Sequence, residues 1–264
     1  MAIGFFDSGI GGLTVMADAM RKLPTHDYIY IADRLHVPYG TKPKDEVKAF
    51  IIETTDLIVQ AGIDALVVAC NTATSIAVAE LRERYSIPVI GMEPAVKPAV
   101  EMNRETGRRV LVFATPLTLQ QPKYYALVSR VDEKNIVDSL PLPELVHFCE
   151  SLQFDKEIMS DYFREKLAPY DLSRYGIVVL GCTHYSYYKN ILRDLLPPHI
   201  GIIDGNAGTV RRLQSMLYRM GIAEGSGSGN VRLMCSGNDP VYLEKIDKAL
   251  QIIRESEDLV SVGL

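Results

Sequence analysis

The 264-residue sequence predicts an α/β fold of two pseudo-symmetric domains, each a parallel-sheet α/β sandwich, and three observations carry that expectation. Strand-like and helix-like segments alternate along most of the chain, the pattern of parallel sheets covered by helices. Two cysteines stand in near-matching settings, Ala69-Cys70-Asn71-Thr72 and Gly181-Cys182-Thr183-His184, each directly after an apolar run that reads as a buried strand. The loops Asp7-Ser8 and Ala114-Thr115 also follow apolar runs, and Ser8 and Thr115 are separated by nearly the same interval as Cys70 and Cys182. A duplication in which each half supplies a hydroxyl loop and a thiol loop explains both offsets with one assumption.

The elements follow in order. Ile3 to Phe6 reads as the first strand, ending in the turn Asp7-Ser8-Gly9-Ile10-Gly11-Gly12. Leu13 to Met20 then reads as a helix and Tyr28 to Ala32 as the second strand. Lys44 to Ala61 places Val47, Ile51 and Ile58 at helical spacing. A strand over Ala65–Ala69, a helix from about Ser75 to Tyr85 and a short strand at Val89-Ile90 close this first series. The second series begins with Val110 to Phe113, continues through helical stretches near 120–130, 143–151 and 155–167, and reaches the strand Ile177–Leu180. Gly225 to Gly229, alternating glycine and serine, reads as a flexible connector. Val231–Met234 and Val241–Ile253 are a last strand and helix.

Bulk composition narrows the function. Hydrophobic content of 47% and charged content of 23% are those of an ordinary globular protein. A formal net charge of −5 provides no basic field for nucleic acid or a membrane surface, and Arg108-Arg109 and Arg211-Arg212 are too short to create one. No apolar stretch approaches the roughly 20 residues of a membrane span. The N-terminus lacks the layout of a signal peptide, so a cytoplasmic location is expected. The four cysteines are then expected to be free thiols. With no CxxC pair and five scattered histidines, no metal site is expected.

Open α/β sheets bind ligands at the carboxyl ends of their strands. All the polar motifs fall there: Asp7-Ser8, Cys70-Asn71-Thr72, Thr115 to Thr118, and Cys182-Thr183-His184. Any one of them is explained as a cap or turn; four together are not. A thiol is a plausible acid/base, and nearby donors or a helix start lower its pKa. Two thiols on either side of one substrate carbon would let a proton leave from one face and return from the other, which is cofactor-free racemisation. His184 either assists that transfer or merely packs, and Asp7 either polarises a partner or caps the glycine-rich turn. Cys149 and Cys235 are read as small buried hydrophobes. Asp7-Ser-Gly-Ile-Gly-Gly lacks both the GK[ST] of a P-loop and the GxGxxG spacing of a dinucleotide site, so nucleotide binding is disfavoured. Pro38-Tyr39-Gly40 is either an ordinary proline turn or a loop that closes over a small ligand.

These residues together resemble the cofactor-independent glutamate racemases of the aspartate/glutamate racemase superfamily. The resemblance rests on Asp7 to Thr14, Ala32-Asp33, Pro38-Tyr39-Gly40, Cys70 to Ala73, Gly91-Met92-Glu93-Pro94-Ala95, Ala114-Thr115-Pro116 and Gly181 to Tyr185, in that order. It implies a site in the cleft between two domains, with the final segment returning to the first domain: 1–94 plus 207–264, and 95–206. It implies interconversion of L- and D-glutamate for peptidoglycan, with no cofactor. Cys70 would act on the D-enantiomer and Cys182 on the L-enantiomer, with Asp7 and His184 as auxiliary acid/base groups. Ser8, Pro38, Tyr39, Gly40, Asn71, Thr72, Thr115, Thr118, Glu150 and Thr183 would hold the substrate, and a homodimer is expected. Some members carry an N-terminal extension associated with activation by a wall precursor; Asp7 comes so early here that this mode is not expected. Two departures stand out: Ser186 where the family has proline, and Leu142-Pro143 where it has Cys-Pro. The alternatives are an aspartate or other amino-acid racemase, and a non-catalytic amino-acid-binding protein on the same scaffold.

Overall fold

The structure, a computed structural model, describes residues 1–221 and 227–256, so Gly225 and Ser226 of the expected connector lie outside the described residues. The first series comprises β1 (Ala2–Asp7), α1 (Leu13–Lys22), β2 (Asp27–Ala32), α2 (Lys44–Gln60), β3 (Ala65–Val68), α3 (Asn71–Arg84), β4 (Val89–Gly91) and α4 (Val96–Asn103). The second comprises β5 (Arg109–Ala114), α5 (Pro116–Leu119), α6 (Pro122–Val131), β6 (Val137–Pro141), α7 (Glu144–Glu150), α8 (Lys156–Leu167) and β7 (Tyr175–Leu180). After a 3-10 segment over Thr183–Tyr188 come α9 (Lys189–Leu195), β8 (Gly201–Asp204), α10 (Asn206–Arg219), β9 (Val231–Cys235) and α11 (Pro240–Glu255).

The strands form two parallel sheets, in the orders β4-β3-β1-β2-β9 and β6-β5-β7-β8. Read from the other edge, the second is β8-β7-β5-β6, the same arrangement as β4-β3-β1-β2, with β9 as an extra edge strand beside β2. The expected internal symmetry is therefore present in strand order, not only in motif spacing. β3 and β7 are buried along their whole length, as Ala-Leu-Val-Val and Tyr-Gly-Ile-Val-Val-Leu require when helices cover both faces. In this order the chain leaves the central strand in opposite directions at β1/β3 and at β5/β7. Those are the switch points where a crevice opens at the carboxyl end of the sheet. Asp7 ends β1 and Cys70 follows β3; Thr115 follows β5 and Cys182 follows β7.

One boundary is corrected. The helix expected from about Ser75 begins earlier, at Asn71, so Asn71 and Thr72 occupy its first turn rather than a polar loop. The cause is a sulfur cap: Cys70 is extended, and its Sγ accepts a hydrogen bond from the Ala73 N–H at 3.4 Å. Thr115 caps α5 in the same way, its Oγ1 accepting from the Thr118 N–H at 3.3 Å. β9 pairs with β2 in register from Tyr28–Val231 to Ala32–Cys235, and α11 packs against α1. Cys149 and Cys235 are buried in the hydrophobic core, and all four cysteines are free. Among the described residues no helix is long and apolar enough to cross a membrane.

Candidate active site

The two switch points face each other, and hydrogen bonds join them directly. Asp7 is fully buried; its Oδ1 accepts from the Gly9 N–H at 2.8 Å and its Oδ2 from the Thr183 hydroxyl at 2.9 Å. A carboxylate on the first sheet is thus tied to the residue following the second cysteine. The Thr72 hydroxyl lies 3.0 Å from that of Thr115 and 2.9 Å from that of Thr118, and the latter two are 3.0 Å apart. This ring of three buried hydroxyls also draws on both sheets.

Cys70 Sγ lies 3.9 Å from the Ser8 hydroxyl, which in turn donates to Asp7 at 3.4 Å. Burial, reinforced by the negative charge of Asp7, pushes the Cys70 thiol up, which favours the protonated sulfur. Cys182 has a different partner: His184 Nδ1 is 3.8 Å from its Sγ. The other ring nitrogen, Nε2, lies 2.8 Å from Glu150 Oε1. Burial alone would lower the histidine, but Cys182 and Glu150, with Asp7 beyond them, hold it well above its ordinary value.

The two carboxylates of the site are driven apart. Burial raises Asp7 to about 6 against the pull of His184, the Gly9 N–H and Thr183. Glu150 is largely buried, which would raise it, yet the His184 hydrogen bond and the charges of His184 and Lys245 hold it at about 2. The two carboxylates therefore differ in kind: Glu150 is held as an anion, while Asp7 is raised toward neutrality.

The remaining expected residues fall around this centre. Tyr39 is buried, its hydroxyl donating to Asp33 Oδ2 at 2.5 Å, and Gly40 accepts from the Leu117 N–H at 3.0 Å. A Cβ on Gly40 would sit 2.5 Å from Thr115 Cβ, so this loop is seated against the second half. Pro38 stands at the margin, half-buried, its carbonyl accepting from Lys42. Asn71 is buried with neither amide atom paired among the described residues. With Thr118 it lines a narrow cleft whose lining includes the Lys123–Glu93 ion pair, 2.8 Å long, joining the two halves. A buried amide without a partner is costly, and a carboxylate or ammonium reaching it from that cleft would satisfy it. No group of three or more His, Cys, Asp or Glu among the described residues is placed to hold a metal ion.

Four contributors were not expected. Tyr242 and Lys245 of α11 both donate to Glu150 Oε2 at 2.8 Å. Tyr30 and Tyr187 donate to the carbonyls of Gly9 and Ile10, pinning the turn after β1. That turn is glycine-rich for a reason other than phosphate. A Cβ on Gly9 would lie 1.9 Å from Glu150 Oε1, and one on Gly11 would lie 2.4 Å from His184 Nδ1. Glycine lets the turn run directly against the His184–Glu150 pair. Gly11→Ala is therefore expected to keep its fold by circular dichroism yet lose about a hundredfold in turnover, since an ångström of displacement at a proton-transfer centre costs that much. The two departures are accommodated: the Ser186 hydroxyl donates to Asp204 Oδ2 at 2.8 Å, and the Leu142 carbonyl accepts from Tyr185 at 2.6 Å.

The two parallel sheets match the fold of solved glutamate racemases. The chain belongs to the Asp/Glu/hydantoin racemase family, whose model matches residues 13–213. Within it, the chain is 50% identical over 256 residues to a glutamate racemase of Halothermothrix orenii, covering 97% of this chain and 100% of that one. The glutamate racemase of Escherichia coli, solved in complex with L-glutamate and the activator UDP-MurNAc-Ala, superposes with a TM-score of 0.81 at 30% identity, covering 96% of this chain and 94% of that one. The Francisella tularensis glutamate racemase, solved in complex with D-glutamate, gives a TM-score of 0.81 at 28% identity, covering 95% and 93%.

Proposed function

We propose that this chain is a cofactor-independent glutamate racemase that interconverts L- and D-glutamate by two-base proton transfer at Cα. The observation that supports this most is the placement of Cys70 and Cys182 at the switch points of two matching sheets, each with its own helper. In one direction the Cys70 thiolate takes the Cα proton and the Cys182 thiol delivers a proton to the opposite face; the reverse direction exchanges the roles. Burial and the charge of Asp7 favour the protonated Cys70 thiol, and the substrate ammonium brought beside it is the cation that would favour the thiolate. Asp7, at about 6, is suited to exchange protons on that side. His184, between Cys182 Sγ and Glu150, serves the other.

The carbanion would form in a pocket of hydroxyls and amides fixed in advance, supplied by Thr72, Thr115, Thr118 and Asn71. The residues in 1–94 plus 207–264 and in 95–206 act as two domains on this reading, and the assignment of β9 to the first sheet supports that division. The same reading takes the protein to be a cytoplasmic homodimer that supplies D-glutamate for peptidoglycan, with the sequence resemblance as its support. Solvent-deuterium incorporation is the direct test. Label should appear at Cα of both D- and L-glutamate and not of aspartate. Label in aspartate instead, or in neither amino acid, would sink the assignment.

A further inference from the structure

Glu150 is held by a group that the two-thiol chemistry does not itself call for. Lys245 Nζ donates to Glu150 Oε2 at 2.8 Å and to the Glu150 backbone carbonyl at 2.9 Å, gripping the residue at both ends. It lies 3.9 Å from the centroid of the Tyr242 ring, whose hydroxyl also donates to Oε2 at 2.8 Å. With Oε2 occupied from α11, Oε1 faces the Ile10 N–H and His184 Nε2, each at 2.8 Å. His184 Nδ1 then points at Cys182 Sγ. The other thiol is bordered by Ser8, the Ala73 N–H and Asp7.

We propose that Lys245 is a positioning residue for proton transfer at Cys182, fixing Glu150 and through it the His184 ring against the sulfur, so that α11 serves one face of the reaction and not the other. This rests on the two-thiol reading above. Racemisation itself cannot show a one-sided defect. L- and D-glutamate have equal free energies, so kcat/KM must be the same in both directions for every variant. An irreversible reaction escapes that constraint. With 3-chloroglutamate, the thiolate takes the Cα proton, the C–H electron pair becomes the Cα=Cβ bond, and chloride leaves with the C–Cl pair. The resulting enamine hydrolyses to 2-oxoglutarate and ammonia. One thiol suffices, and the configuration at Cα selects which.

Cys182→Ser identifies the enantiomer whose elimination depends on Cys182. Lys245→Met should slow elimination from that enantiomer about tenfold while leaving the other within about twofold, and Lys245→Arg should restore it. Tyr242→Phe, which removes the other donor to Oε2, should show the same bias more weakly and serves if Lys245→Met melts early. Equal losses from both enantiomers, or no loss from either, would overturn the proposal. Unimpaired elimination from both enantiomers by Cys182→Ser would instead remove the two-thiol reading beneath it, a failure visible in that variant alone.

Discussion

Cys70→Ser and Cys182→Ser should each abolish racemisation, lowering kcat by about three orders of magnitude or more. A serine hydroxyl is a far weaker acid than a thiol, so the substituted face can neither accept the Cα proton nor return one. Racemisation needs both acts, so the loss of either face is complete. Elimination from a substrate with a β-leaving group needs only proton removal. Each single variant should therefore keep elimination from one Cα configuration and lose it from the other, in opposite senses. Full racemase activity in either variant would end the two-base scheme. Unfolding is not the explanation to be feared at Cys70. That sulfur caps α3 through the Ala73 N–H, and serine is among the preferred caps, so thermal stability should hold while activity vanishes.

What was legible in the sequence is what neighbouring residues decide. Each thiol loop follows its strand immediately, so the run Ala65 to Val68 and the residues after it show a strand end, a sulfur and polar companions in one window. The duplication was legible for the same reason, because near-equal intervals survive without knowledge of contacts. Asp7 and His184 could be read as helpers from their places beside the hydroxyl and thiol loops, whereas Glu150 was visible only through resemblance. Glu150 meets Ile10 and Lys245 across long stretches of chain, and His184 meets it across a shorter one. Tyr242 and Lys245 share a helix face by their spacing, yet nothing local says that this face meets a carboxylate. β6 and β8 also escaped notice. Val137 to Pro141 carries Asp and Ser with only Leu140 buried, and Gly201 to Asp204 is an edge strand with no fully buried residue. Gly9 and Gly11 were readable as turn residues, but the reason that only glycine fits lies in side chains from α7 and the second thiol loop.

The asymmetry between the two thiols has a thermodynamic signature, which Glu150→Gln should expose. In the native protein Glu150 sits between two cations, His184 and Lys245, with side-chain exposures of 12%, 2% and 23% respectively. Removing its charge leaves both cations without their anion, and breaking a buried pair in this way costs about 3–5 kcal/mol. The pH dependence fixes the sign. Glu150 is depressed from 4.5 to about 2, so its contribution is fully present above 4.5 and fades as pH falls through about 2. His184 is raised from 6.5, so its contribution is fully present below 6.5 and fades as pH rises through the higher folded value. The stability gap between the native protein and Glu150→Gln should therefore be widest between pH 4.5 and 6.5 and narrow on both sides. Urea unfolding of the two proteins across pH reads this directly. A gap that does not change with pH would show that glutamine is costly for its packing and that the buried ion pair contributes little. Activity should fall as well, because His184 loses the partner that keeps its ring charged and aligned with Cys182.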